Sequence, residues 1–314
     1  MSEALQQYAE AKATGRRFID QVRTEVPTDT SFVRRKYLDI PYAGGDTEDL
    51  AAWRKLDIYL PNEGEGPFPV IIDLYGGGWY FGEKSTYKMD LSLELLKRGF
   101  AVVSPNYSLS RNRAYPVQVY EIKAAVRYVR NHAAEYQLDP ERIALKGESA
   151  GSHLGAAAAL SVGAGVFEDI EIGEPGDASV SCMIALYCPA NLGRTIQQFH
   201  VLGLEGWVAE SGRVDSPEGV LLGGALPDIP RMVELADPAA FATEKAPAFQ
   251  FWHGDDDRVV PYIQSMDLAV EICGKAGLDK VEYHLIHGAA HNQEHFMKPE
   301  YYDEMERFLR THMA

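Results

Sequence analysis

Apolar and polar positions along this chain switch repeatedly between two periods. Val70-Ile71-Ile72-Asp73-Leu74 is a nearly unbroken apolar run, the pattern of a strand buried on both faces. Phe100–Val103, Arg142–Lys146, Val180–Tyr187, Ala248–Trp252 and Val281–Ile286 are further strand-like stretches. Ahead of them, Phe32–Ile40 and Leu56–Leu60 read as strands separated by the Ala43-Gly44-Gly45-Asp46 turn. Between strands the period lengthens. Val119, Ile122, Val126 and Val129 recur three and four residues apart, which predicts a helix over about Pro116–Tyr136 with one apolar stripe, stopped by Asp139-Pro140. Small residues from Ala150 to Leu160 predict another helix, and a last one runs from about Pro299 to the C-terminus. This alternation predicts an α/β protein with a mostly parallel central sheet and helices on both faces.

Two segments do not follow the rhythm. Residues 1–30 are polar and amphipathic, and predict a helical arm ending near Pro27 that packs over the main body. Asn191 to Lys245 separates two strands by far more than an ordinary connection needs. With its helical fragments, prolines and Leu222-Gly223-Gly224 turn, it reads as a lid or substrate-pocket insertion in a single domain spanning residues 1–314.

Composition narrows the function classes. Acidic residues outnumber basic ones 46 to 30, a formal charge of −16, so a surface that binds nucleic acid or anionic lipid is not expected. No apolar run approaches the roughly 18–20 residues of a membrane span. The three cysteines, Cys182, Cys188 and Cys273, are odd in number and set among apolar residues, as in reduced core positions. Met1-Ser2-Glu3 opens a segment without the apolar core of a signal peptide, and the expected location is the cytoplasm.

The chemistry concentrates at strand ends. Gly147-Glu148-Ser149-Ala150-Gly151 lies between a predicted strand and a small-residue helix, where G-x-S-x-G forms a tight turn that lifts the serine hydroxyl off the sheet edge. A serine needs a base and donors for a developing oxyanion. Tyr75-Gly76-Gly77-Gly78-Trp79 follows the buried strand and can present backbone N–H groups unobstructed. His291 follows the last predicted strand, and three adjacent aspartates, Asp255, Asp256 and Asp257, follow the one before it. The chain order Ser, Asp, His is that of α/β-hydrolases, although spacing alone does not choose among the three aspartates.

From about Tyr37 to the C-terminus the sequence resembles the α/β-hydrolase superfamily, in the esterase branch that groups hormone-sensitive-lipase-like and feruloyl-esterase-like proteins. The resemblance rests on the serine elbow, Ser104-Pro105-Asn106-Tyr107-Ser108-Leu109, Tyr115-Pro116, Asp139-Pro140-Glu141-Arg142-Ile143 and Leu221-Leu222-Gly223-Gly224. It implies Ser149 as nucleophile, His291 as general base, Asp257 as the acid orienting it, and the N–H groups of Gly77, Gly78 and Ala150 as the oxyanion hole. It also implies hydrolysis of small-molecule carboxylic esters with small or medium acyl groups, with no metal or organic cofactor. Two positions depart from the family pattern: Tyr75 stands where histidine precedes the three glycines, and Ser108 replaces an arginine. Tyr75, Trp79 and Trp207 are the candidate pocket residues.

Other readings compete for the same residues. His291-Asn292-Gln293-Glu294-His295 matches H-x-x-E-H, and with His287 it would form a zinc-binding face on a helix. The preceding strand and Gly288 oppose a helix there. His153 reads as packing or pocket lining, and His253 as a turn residue. A peptidase or amidase with the same triad, or a non-catalytic binding protein on this fold, would share most of these features.

Overall fold

The apolar run at Val70–Leu74 lies mid-sheet in the computed structural model, which describes residues 18–21, 23–168, 172–204 and 211–313. Strands β1 (Arg35–Pro41), β2 (Lys55–Leu60), β3 (Phe68–Leu74), β4 (Ala101–Pro105), β5 (Leu138–Glu148), β6 (Cys182–Leu186), β7 (Ala248–Gly254) and β8 (Val281–Ile286) form a sheet ordered β1-β2-β4-β3-β5-β6-β7-β8. β2 pairs antiparallel with β1 and β4; the other neighbours are parallel. Every residue of β3, β4, β6 and β7 is buried, as parallel strands covered on both faces require.

Helices α1 (Glu48–Trp53), α2 (Asp90–Leu96), α3 (Val117–Asn131), α4 (Ala150–Leu160), α5 (Thr195–Leu202), α6 (Pro217–Leu222), α7 (Pro230–Leu235), α8 (Ile263–Ala276) and α9 (Pro299–His312) cover this sheet. The strand period of two divides the core. Val70, Ile72 and Leu74 join Val119, Ile122 and Val126 of α3 and Leu154 of α4 on one face. Ile71 joins Leu91 and Leu95 of α2 and Met305 and Phe308 of α9 on the other. None of the described helices is long and apolar enough to cross a membrane.

Some boundaries differ from those expected. α3 ends at Asn131 and not near Tyr136, and Asp139-Pro140 lies inside β5 instead of stopping a helix. Tertiary pairing decides this: Phe68 N–H donates to the Gln137 carbonyl (2.8 Å), and Leu138 is buried beside Phe68. β1 starts at Arg35, three residues later than expected, because its ladder begins with Arg35 opposite Leu60, the last residue of β2. α2 and α8 occupy stretches to which the sequence pattern had assigned no element.

The helical arm is expected over residues 1–30, of which 1–17 and 22 lie outside the described residues. Phe18–Asp20 is one 3₁₀ turn, and the following residues do not continue as a helix. Thr28 N–H donates to the Ser85 carbonyl and Tyr87 N–H to the Val26 carbonyl. These bonds satisfy the backbone in an extended strap along residues 85–87, where a helix would have satisfied it internally. The segment from Asn191 to Lys245 carries α5, α6, α7 and several 3₁₀ turns, with residues 205–210 outside the described set.

An ion pair is buried between the two strands that carry the candidate site. Asp73 of β3 stands directly opposite Lys146 of β5, with Nζ 2.9 Å from Oδ1 and both side chains almost wholly shielded from water. Ser92 Oγ donates to the same carboxylate oxygen (2.6 Å), and Lys146 Nζ also donates to the Lys88 carbonyl (3.2 Å). Removing one member of such a pair strands a charge, whereas replacing both by apolar groups relieves the desolvation cost. Asp73→Ala should therefore lose about 3–5 kcal/mol in urea unfolding, and Asp73→Leu combined with Lys146→Met should recover most of it. A double variant no more stable than the single one would contradict this reading.

Candidate active site

β5 ends at Glu148 and α4 begins at Ala150, leaving Ser149 alone to turn the chain. Its backbone sits at φ 50°, ψ −120°, a conformation costly for a residue with a side chain and typical of strained functional turns. The flanking glycines make the turn sterically feasible. A Cβ on Gly151 would run into the Leu74 carbonyl oxygen, and one on Gly147 would lie 2.6 Å from the Ser152 nitrogen. The elbow is thus pressed against the end of β3, from which the glycine loop emerges.

Ser149 Oγ donates to His291 Nε2 (2.9 Å), and His291 Nδ1 donates to Asp257 Oδ2 (2.7 Å). These directions follow from ionised carboxylates being acceptors only, which leaves Nε2 as the acceptor on neutral imidazole. Asp257 is 1% exposed. Burial would raise its pKa, but the neighbouring His291, with hydrogen bonds from His253 and His291, holds it well below the ordinary carboxylate value. Its other oxygen accepts from Val259 N–H (2.8 Å) and Val260 N–H (2.9 Å). Asp255 instead accepts from His287 Nδ1 (2.8 Å) and Gly288 N–H (2.7 Å), while Asp256 pairs with Arg258. Of the three adjacent aspartates, Asp257 is the one that meets His291.

The glycine loop lies beside the serine, since a Cβ on Gly76 would come within 3.1 Å of Ser149 Cβ. Among the described residues, the N–H groups of Gly77, Gly78 and Ala150 have no acceptor. Gly76 N–H donates to Glu148 Oε1 (3.2 Å), and Tyr187 O–H donates to Glu148 Oε2 (2.6 Å). The Tyr187 ring lies 4.4 Å from the His291 ring, centroid to centroid. Tyr75 is buried and stacked on Tyr107 at 4.3 Å; its hydroxyl donates to the Tyr107 carbonyl (3.1 Å), and Tyr107 O–H donates to the Tyr75 carbonyl (2.6 Å). Tyr75 thus holds the root of the loop from beneath. Ser108, the other departure from the family pattern, is bound through N–H and Oγ to buried Glu121, itself paired with Arg54. Phe18 caps the loop from outside, its ring 2.6 Å from where a Gly78 Cβ would stand.

The three histidines His287, His291 and His295 do not share a helix face. Residues 287–292 form a loop and Gln293–Phe296 a 3₁₀ turn, with His287 and His291 directed to different aspartates.

A model of the BD-FAE family matches residues 56–272. This chain belongs to the BD-FAE family. Esterase LipQ of Mycobacterium tuberculosis is 30% identical over 256 residues, covering 81% of this chain and 56% of LipQ. Esterase LipC of the same organism is 27% identical over 263 residues, covering 82% of this chain and 59% of LipC. The chain spans a little over half the length of these two relatives. A solved structure described as a truncated carbohydrate esterase from gut microbiota superposes with a TM-score of 0.76 and 26% identity, over 92% of this chain and 99% of that one. The fold of this BD-FAE chain is the α/β-hydrolase fold.

One histidine of this BD-FAE chain, His253, takes a place other than the one expected from sequence, and His153 packs in the interior as expected. His253 is not a turn residue. It lies fully buried in β7, where Nε2 donates to the Val260 carbonyl (3.0 Å) and reaches Asp257 Oδ2 at 3.3 Å. The cue was its place in His253-Gly254-Asp255-Asp256-Asp257, four residues before the acid. His153 joins three elements: Nε2 donates to the Ala236 carbonyl of the insertion (2.7 Å), and Nδ1 accepts from Trp79 Nε1 (3.2 Å). Trp79 is accordingly buried, and Trp207 lies outside the described residues.

Burial pushes the His153 pKa down from 6.5 to about 4. Between these values the unfolded chain binds a proton that the folded chain does not, so stability falls as pH drops from 6.5 to 4. This one group removes about 3 kcal/mol over that window, taking 1.36 kcal/mol per pKa unit. His153→Asn, measured by urea unfolding, should be less stable than wild type at pH 7, with the gap narrowing by about 3 kcal/mol at pH 4. A gap unchanged by pH would show that His153 does not titrate this way.

Proposed function

We propose that this protein hydrolyses carboxylic esters through an acyl-enzyme on Ser149. The observation that carries the reading is the unbroken hydrogen-bond chain Ser149–His291–Asp257 beside the amides of Gly77, Gly78 and Ala150, which have no acceptor among the described residues. Ser149 Oγ attacks the ester carbonyl carbon as His291 Nε2 takes its proton. Asp257, bound at Nδ1, fixes the tautomer and stabilises the imidazolium that forms. The carbonyl oxygen gains negative charge and is met by the three amides, which are rigidly placed and need little reorganisation. His291 then protonates the departing alkoxide. Water activated by the same imidazole next attacks the acyl-enzyme and releases the acid.

The substrate class is supported by the esterase names of the relatives. Small or medium acyl groups suit a site bounded by Phe18 over Gly78, with the insertion docked nearby through Ala236 and His153. In this reading Asn191 to Lys245 and the strap at residues 18–28 shape the substrate pocket.

Two experiments test the assignment. A serine-directed phosphonylating reagent should add once per chain, at Ser149 by peptide mass mapping, and Ser149→Ala should lose several orders of magnitude in ester turnover. Near-normal turnover in that variant would end the hydrolase reading. Asp257→Asn favours the wrong imidazole tautomer and should cost at least about 10² in kcat, while Asp255→Asn and Asp256→Asn cost less than about tenfold. A greater loss in either neighbour, with the fold intact, would reassign the acid.

A further inference from the structure

Each of the three amides proposed as oxyanion donors belongs to a peptide unit whose carbonyl points the opposite way, because a trans peptide holds N–H and C=O antiparallel. Whatever binds the carbonyl therefore aims the amide. The Ser149 carbonyl, paired with Ala150 N–H, accepts from His153 N–H (3.1 Å) at the first turn of α4. The Gly77 carbonyl, paired with Gly78 N–H, accepts from the N–H groups of Tyr80 (3.2 Å) and Phe81 (3.0 Å). The Gly76 carbonyl, paired with Gly77 N–H, is different: it accepts from the ammonium of Lys88 at 2.6 Å.

Lys88 is 7% exposed and sits on a 3₁₀ turn, Tyr87–Met89, reached by several parts of the molecule. Its own carbonyl accepts from Lys146 Nζ, Tyr87 N–H donates to Val26 of the strap, and Gln293 Nε2, two residues after His291, donates to the Tyr87 carbonyl (2.6 Å). Burial lowers the Lys88 pKa, while the carboxylates of Glu148 and Glu25 oppose that shift and Arg23 and Lys146 add to it. A buried cation whose hydrogen bond goes to a neutral carbonyl is costly. Aliphatic packing alone would be met by methionine.

We propose that Lys88 is the positioning residue of the oxyanion hole: its ammonium orients the Gly76–Gly77 peptide and polarises it so that Gly77 N–H is a stronger donor to the developing oxyanion. Charge-assisted hydrogen bonds are roughly twice as strong as neutral ones, and a bond to a carbonyl strengthens the N–H of the same peptide by polarisation. Glu148 holds the preceding amide of the loop, so the Gly76 residue is clamped by opposite charges on its two sides. This role rests on the proposed ester hydrolysis at Ser149.

The test compares wild type with Lys88→Met, which keeps length and apolar volume but removes the charge. With an ordinary ester, kcat should fall about 10- to 100-fold with KM within about threefold. That lies below the 10²–10³ expected for deleting a donor outright. Affinity for a trifluoromethyl ketone, which forms a hemiketal oxyanion on the serine, should weaken by the same factor as kcat. A folded Lys88→Met with kcat within threefold of wild type overturns the proposal. So does a loss in kcat with unchanged ketone affinity, the signature of a merely structural role. If Lys88→Met does not fold, Lys88→Gln, a neutral donor, is judged by the same criteria. Turnover that survives Ser149→Ala overturns the hydrolase reading and this proposal together; turnover lost in Ser149→Ala but undiminished in Lys88→Met overturns this proposal alone.

Discussion

A close backbone approach, between the elbow at Ser149 and the end of β3, sets the position of the groups around it. Leu74 and Gly147 are register partners, so β3 and β5 end at the same level of the sheet. With no Cβ on Gly151, the first turn of α4 can lie directly against the carbonyls of Leu74 and Tyr75. The glycine loop must then leave β3 beside the serine. Any side chain at Gly151 would push elbow and loop apart, and the proposed donors would separate from the proposed nucleophile.

The charges buried around that arrangement are paired with one another or bound to backbone groups. Asp73 and Lys146 neutralise one another inside the sheet directly below the site, and Lys146 passes a hydrogen bond upward to the turn carrying Lys88. Above them, Lys88 and Glu148 hold Gly76 from its carbonyl and amide sides. Asp257 stays ionised in a buried position because two amides and two imidazoles surround it. These groups are costly to bury singly, and each is tolerated because the next supplies its hydrogen bonds.

The strap at residues 18–28 and the insertion after Asn191 approach the loop from different directions. Phe18 lies over Gly78 and edge-on to Phe81 at 5.3 Å between ring centroids. From the insertion, Ala236 reaches His153, which in turn accepts from Trp79 at the end of the loop. The rigid part of the site thus comes from β3, β5 and α4, while its surroundings come from less regular segments, a common division between scaffold and specificity.

Much of the sheet was legible in the sequence. Apolar runs marked β3, β6 and β7 because strands covered on both faces can carry almost nothing polar, and the stripe from Val119 to Val129 marked α3. Ser149 and the glycine loop were legible because their geometry demands glycine at fixed offsets. Helix α8 was missed although Leu268, Ala269 and Ile272 are spaced for one face, because buried Gln264 and Ser265 interrupt the apolar pattern. The sequence by itself determined the alternation of elements, the elbow and the chain order of its chemical groups, since these follow from local sterics and burial. The choice of Asp257 among three aspartates came from the resemblance and not from spacing, and tertiary structure alone decided that His253 is a buried partner of that acid and that Lys88 reaches Gly76. Each depends on which side chain faces which across strands and turns distant in the chain, and a lysine between Tyr87 and Met89 looks in sequence like any surface residue until the fold closes over it.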